Sequence, residues 1–287
     1  MELIRIPRIM QQTSKEHLLL SKSIGLVPTM GALHEGHLSL VRTSKKENDV
    51  TVVSIFVNPK QFGLSEDFSK YPRDIGGDTA KLEDAGVDML FLPDDSLMYP
   101  EGSSTHVEVE GLSDRLCGLF RPGHFKGVAT VVLKLFNIVT PVRAYFGQKD
   151  FQQTVIIKRL VRDLDLGTDV VVCPTLREED GLAMSSRNLY LSPEERKAAT
   201  VIYRALVEAS KTVKNGILEV RKIKETMLNM LRAEPLVKEV QYCSAFDTGT
   251  LIELERIKGE ALLAIALHIG STRLIDNMVV TTENGGR

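Results

Sequence analysis

From Ile24 to about Thr175 the hydrophobic pattern switches repeatedly between strand-like runs and helix-like periods, and that alternation constrains the fold more than any other feature. Residues 24–27 form a short apolar run that ends in a turn containing glycine and histidine. Residues 37–47 then carry Leu38 and Val41 at helical spacing on one face. Residues 50–57 (VTVVSIFV) are a continuous β-branched run of the kind buried on both faces of a sheet. A helix opened by Pro72 is expected over 72–84, weakened by Gly76 and Gly77, followed by a buried strand over 89–92 that Pro93 closes. A helix at 128–138, a strand at 144–146, an amphipathic helix at 151–163 and a strand at 170–172 complete the series. Strands alternating with helices imply crossover connections and a parallel sheet, whose ligands sit at the carboxyl ends of the strands.

After Asp180 the texture changes. Residues 193–213 read as a helix capped by Ser192 with Glu195 at the capping-box position, and 217–231 as a second helix. Strand-like runs at 239–246 and 261–268, with a more polar run near 273–280, follow with no helix between them, which implies local antiparallel pairing. The 287 residues exceed the ~150 typical of one domain. We therefore expect a parallel-sheet domain over 1–177 and a smaller α+β domain over 178–287, with a frayed end at 281–287.

Composition excludes several classes. A formal net charge of −2 is too balanced for a protein that coats nucleic acid. The apolar run at 261–267 is far too short to span a bilayer, and residues 1–11 lack the apolar core of a secretory signal. Cys117, Cys173 and Cys243 are isolated from one another and odd in number, so buried, inert thiols in a reducing cytoplasm are the expectation.

Four groups of residues can carry chemistry. The first is Met30-Gly31-Ala32-Leu33-His34-Glu35-Gly36-His37, where the first strand gives way to a helix. Its glycines permit close backbone approach, and free N–H groups with the helix dipole would attract an anion such as phosphate. Two imidazoles three residues apart can donate to phosphate oxygens; ordinary surface histidines or a metal chelate fit the same spacing. The second group is Met184-Ser185-Ser186-Arg187, two hydroxyls and a guanidinium suited to polyphosphate, or alternatively a solvated linker. The third is Gly147-Gln148-Lys149-Asp150, at a strand end entering a helix. Lys149 can neutralise a phosphate there; Asp150 can cap the helix, or bind a ribose hydroxyl or magnesium. The fourth is Asn58 and Gln61, after another strand, with Gln153 beyond Asp150, amides able to hold a hydroxyl- and carboxylate-bearing substrate.

In order and spacing, PTMGALHEGH, IFVNPKQF, YPRD, RPGHFKGVATVV, FGQKDFQQ and DGLAMSSRNLYLS resemble the pantothenate synthetase (pantoate–β-alanine ligase) family. The blocks run from Pro28 to Ser192, and HEGH and MSSRN resemble the nucleotide signatures of class I aminoacyl-tRNA synthetases and nucleotidyltransferases. The resemblance implies a Rossmann-like α/β domain with a C-terminal lid, and ligation of pantoate to β-alanine through a pantoyl adenylate made from ATP with Mg2+. It further implies that Met30–His37, Gly147–Asp150, Leu176 and Met184–Arg187 contact the nucleotide. His34, His37, Lys149, Ser185, Ser186 and Arg187 would act on the phosphates. Gln61 and Gln153 would hold pantoate, with Asn58, Tyr71, Arg121 and His124 near the substrate cavity. A cytoplasmic homodimer with no nucleic-acid or membrane partner is implied as well.

Overall fold

A computed structural model describes residues 1–63 and 66–282. The chain divides into two compact units, Met1–Asp114 with Arg121–Gln148 and Gln153–Pro174, and Arg115–Phe120 with Lys149–Gln152 and everything from Thr175 onward. The sequence suggested a single crossing near residue 177; the two short excursions have no signature in local pattern, because tertiary packing alone assigns them.

The strands of the first unit are β1 (Glu2–Ile4), β2 (Ile24–Thr29), β3 (Val50–Ile55), β4 (Met89–Phe91), β5 (Arg143–Gly147) and β6 (Asp169–Cys173). They form a six-stranded, wholly parallel sheet in the order β1-β4-β3-β2-β5-β6. The helices of the unit are α1 (Pro7–Leu19), α2 (Glu35–Glu47), α3 (Ile75–Asp84), α4 (Asp95–Met98), α6 (His124–Val139) and most of α7 (Phe151–Asp163). The β-branched run forms β3, every residue of which is buried between β2 and β4. Strand order reverses between β2 and β5, which places the loops after these two strands at the switch point where such sheets bind ligands.

The expected elements are present with revised ends. Helix α2 begins at Glu35 rather than 37, because His34 caps it. Helix α3 begins at Ile75, not at Pro72: the Asp74 carboxylate accepts from the Gly77 N–H at 3.0 Å and satisfies one of the orphan amides of the first turn. Strand β1 and helix α1 had no expectation, since β1 has only three residues and α1 lacks a side-chain N-cap.

In the second unit, α9 (Val201–Lys214) and α10 (Val220–Arg232) pack on an antiparallel sheet of β7 (Val237–Phe246), β8 (Glu260–Ile269) and β9 (Thr272–Thr281). Val220, Ile223, Met227 and Leu231 recur at helical spacing on α10, and all are buried in the same core as Leu263, Ile265 and Leu267 of β8. Ser192 and Glu195 form the expected capping box at the start of α8 (Pro193–Ala198). The single helix expected over 193–213 breaks at Ala199 and Thr200. There the Thr200 hydroxyl and N–H both turn to the Lys197 carbonyl, tightening the backbone ladder. The excursion 115–120 contains α5 (Cys117–Phe120) and is fixed within this unit. The Cys117 N–H donates to Gln152 Oε1 at 3.0 Å, and Cys117 Sγ lies 3.0 Å from the Tyr242 hydroxyl on β7. Of the end expected to fray, Thr281 closes β9 and 283–287 lie outside the described residues.

No helix among the described residues is long and apolar enough to cross a membrane. All three cysteines are buried and unpaired. Burial raises the Cys173 thiol and pushes Cys243 up to about 12, so at pH 8 the Cys243 thiolate fraction is on the order of 10⁻⁴. Ellman's reagent should therefore leave the native protein almost unlabelled for minutes at pH 8 and titrate three thiols after denaturation; rapid native labelling of Cys243 would contradict the packing.

Candidate active site

At the carboxyl end of β2 the chain turns sharply through Gly31 (φ +83°) and Ala32 (φ +49°) before entering α2. Glycine tolerates the first of these conformations; alanine takes the second only because the turn is over-determined from outside. The Thr29 hydroxyl accepts from the Gly31 N–H at 3.2 Å and donates to the Ser54 carbonyl on β3. Asp78, from the first turn of α3, accepts from the Ala32 and Leu33 N–H groups at 2.8 and 2.7 Å, and Lys81 donates to the Leu33 carbonyl at 2.7 Å.

His34 is the N-cap of α2, and its Nδ1 accepts from the Gly36 N–H at 3.1 Å. His37 completes the capping box, its Nδ1 facing the His34 N–H at 3.4 Å, and the two rings lie 4.1 Å apart between centroids. With Nδ1 accepting in both rings, each neutral imidazole carries its proton on Nε2, where it is a donor. The expectation of a turn with free amides is narrowed. The N–H groups of Gly31, Ala32, Leu33, His34 and Gly36 are taken internally, so imidazole side chains are prominent among the donors the turn offers an anion. Glu35, beside them, pairs with Arg42 on the exposed side of the helix.

Gln61 ends a 3₁₀ turn (Pro59–Gln61) after β3, and its Nε2 lies 3.1 Å from the Met30 sulfur. Asn58 is buried and acts inside the protein. It donates to Gln61 Oε1 at 3.0 Å and to the Gly127 carbonyl at 3.1 Å, while its Oδ1 accepts from Tyr99. His124 Nδ1 lies 2.8 Å from the Gln61 carbonyl and must donate to it, leaving Nε2 to accept from Arg121 at 3.1 Å. Arg121 is in turn ion-paired with Glu66. Tyr71 is buried edge-on against Phe62. The structure thus gathers Asn58, Arg121 and His124 behind Gln61, bracing its turn.

Gly147 closes β5 and is followed by Gln148; Gln153 is half-buried on α7. Lys149 and Asp150 belong to the second unit, where Lys149 Nζ is 4.0 Å from the half-exposed Asp150 carboxylate. In that unit Leu176 and Met184 close a hairpin through the Met184 N–H to Leu176 carbonyl bond at 3.0 Å, with Arg177 paired to Ala183 inside it. Ser185 then caps a 3₁₀ turn (Ser186–Tyr190), accepting from the Arg187 N–H at 3.3 Å, and Ser186 is buried. Gly181 holds φ +90° at the hairpin tip, where a Cβ would meet the Tyr203 ring at 1.9 Å. The loop is therefore a built element rather than a solvated linker.

A family profile described as Pantoate-beta-alanine ligase matches residues 2–279. The chain belongs to the pantoate–β-alanine ligase family. It is 59% identical to the pantothenate synthetase of Thermodesulfovibrio yellowstonii over 98% of this chain and 100% of that one. To the pantothenate synthetase of Acetivibrio thermocellus it is 53% identical over 91% and 92% of the two chains. Among solved structures, pantothenate synthetase from Thermus thermophilus superimposes with a TM-score of 0.92 at 45% identity, covering 97% of this chain and 99% of that chain. The Francisella tularensis pantoate-beta-alanine ligase, complexed with beta-gamma ATP and beta-alanine, gives 0.80 at 35% identity over 97% of each chain.

Two residues of this ligase fold escaped the sequence reading. Asp78 sits in a helix that reads as ordinary amphipathic sequence, and only the fold brings its carboxylate to the turn after β2. Gly127 lies within α6, where a Cβ would meet the Lys60 carbonyl oxygen at 2.2 Å, so glycine is what lets the Gln61 turn pack onto the helix. A glycine inside an otherwise strongly helical run was the available signal for the second; the first had none.

Proposed function

We propose that this chain joins pantoate to β-alanine as its family does, with the residue roles that follow. A pantoate carboxylate oxygen attacks the α-phosphorus of ATP, pyrophosphate leaves, and pantoyl adenylate remains. The amine of β-alanine then attacks the acyl carbon, AMP leaves, and pantothenate is formed. No protein nucleophile is required, so the work is positioning and charge stabilisation.

The reading rests above all on the paired imidazoles at the switch point of the sheet, whose Nε2 protons are oriented by backbone N–H groups accepted at Nδ1. His34 and His37 donate to the phosphates as charge builds on them. Met30 to His37 line the nucleotide, together with Gly147, Gln148 and Leu176. Gln61 and Gln153 hold pantoate, with Gln61 also bordering the β-alanine position and Asn58, Tyr71, Arg121 and His124 supporting it. Lys149 meets a phosphate and Asp150 the ribose, and Met184, Ser185, Ser186 and Arg187 of the second, lid-like unit close on the triphosphate. A domain boundary near residue 177, with 115–120 and 149–152 carried by the second unit, a cytoplasmic location and a homodimer belong to the same proposal.

Magnesium binds through hard oxygens and usually through one or two carboxylates plus substrate phosphates. Asp150 is assigned to the ribose, so the ion would be held chiefly by triphosphate oxygens, and among the described residues no three His, Cys, Asp or Glu side chains form a protein cage. When bound with ATP, the ion would supply positive charge that offsets the charge of the triphosphate.

The decisive experiment is exchange of labelled pyrophosphate into ATP. We expect exchange that requires pantoate and proceeds without β-alanine; folded protein that shows none would overturn the adenylate route.

A further inference from the structure

Strand β9 carries two buried polar residues side by side, Asp276 and Asn277, among Ile275, Met278, Val279 and Val280. A strand packed on a hydrophobic core needs neither, and burying them costs free energy unless they are bonded. Each is bonded to a segment of the site. The two oxygens of Asp276 accept from Arg177 Nη1 and Nη2 at 2.6 and 3.0 Å. Arg177 also donates to the Gly181 carbonyl at 3.0 Å and lies 4.4 Å from the Tyr203 ring centroid, which fixes the hairpin that runs into Ser185, Ser186 and Arg187. Asn277 donates from Nδ2 to the Lys149 carbonyl at 2.8 Å.

We infer that Asp276 and Asn277 are positioning residues for the ligation, a reading that rests on the phosphate roles proposed for Lys149 and for Ser185 to Arg187. They mount two segments, separated by some thirty-five positions in the chain, on one strand. Lys149 and the Ser185–Arg187 turn consequently travel as a single body, and the spacing of their donors is kept while triphosphate enters and pyrophosphate leaves. Preorganisation of this kind contributes to rate because the groups need no rearrangement at the moment of reaction. The ion pair of Asp276 sets the hairpin, and the amide of Asn277 sets the lysine.

A double-mutant cycle tests this on the pair Asn277 and Lys149, with pantoate-dependent pyrophosphate exchange and melting temperature as readouts. Asn277→Leu should lower the maximal exchange rate about 10-fold while leaving the KM for pantoate unchanged, since small misplacements of a reacting group carry effects of this order or larger. In a Lys149→Ala background the same substitution should cost less than about 2-fold, because residues acting through one another are non-additive. Equal losses in both backgrounds would reduce Asn277 to a purely structural role and overturn the inference. An impaired Lys149→Ala beside an unchanged Asn277→Leu also overturns it while leaving the lysine's phosphate role intact. An unchanged Lys149→Ala removes that phosphate role and the mount with it. Asn277→Asp, which keeps the size and loses the donor, is carried through the same cycle, so a misfolded leucine variant does not protect the idea.

Discussion

Replacing His37 with alanine is expected to slow pantoate-dependent pyrophosphate exchange by about 10²–10³, the scale for losing one preorganised donor to a developing negative charge. The side chain has two jobs that can be separated. Its Nδ1 accepts from the His34 N–H in the capping box of α2, and its Nε2 proton is the donor proposed for phosphate. Alanine removes both, so melting should also fall by the equivalent of about 1 kcal/mol, the usual cost of a lost cap. Glutamine is an ordinary residue at that capping position and has its own N–H donor. His37→Gln should therefore recover the melting temperature and part of the rate. An alanine variant with wild-type exchange would remove His37 from the mechanism.

The second large effect is expected at Asp78. Alanine there removes the acceptor of the Ala32 and Leu33 N–H groups, at about 1–3 kcal/mol for the buried Leu33 donor and less for the half-buried Ala32 one, and releases a turn held at positive φ directly before His34. Stability and exchange rate should fall together, and a variant that kept both would show that the turn holds itself. The pH behaviour separates the two roles of the carboxylate. Desolvation raises its pKa above the usual aspartate value, against the opposing pull of the Leu33 and Ala32 amides and of Lys81, with Asp74 adding to the rise. The folded state thus binds the proton more tightly than the unfolded chain does. Its contribution to stability is fully present below the unfolded pKa and declines as pH rises through the folded one. The clamp itself needs the ionised form, so activity should climb over the same window in which that contribution declines. Asp78→Asn should flatten both trends at a lower rate; an unchanged pH profile in that variant would sink the assignment.

Much of this architecture was written in local pattern. The β-branched run at β3, the capping box of Ser192 and Glu195 and the apolar spacing of α10 each follow from a period or a cap that a short window contains. Three of the family motifs, PTMGALHEGH, IFVNPKQF and FGQKDFQQ, likewise occupy strand ends, where chain direction and sheet rules already place ligands. What local pattern misread were features whose cause lies elsewhere in the chain. The amides after β2 look free until Asp78, some forty-five residues on, takes two of them. Asn58, Arg121 and His124, which the resemblance places near the substrate cavity, also bond within the protein to Gln61, Glu66, Gly127 and Tyr99.

The sequence by itself determined the class of fold, the strand ends that carry chemistry and the family to which that chemistry belongs, because each depends on residue type at short spacing. Only the tertiary structure decided which polar groups brace one another within the protein, and that Lys149 shares a compact unit with the Ser185–Arg187 turn. The physical reason is that a hydrogen bond is fixed by distance and direction between atoms, and for Asp78, Asp276 and Asn277 those distances close only after the chain has packed.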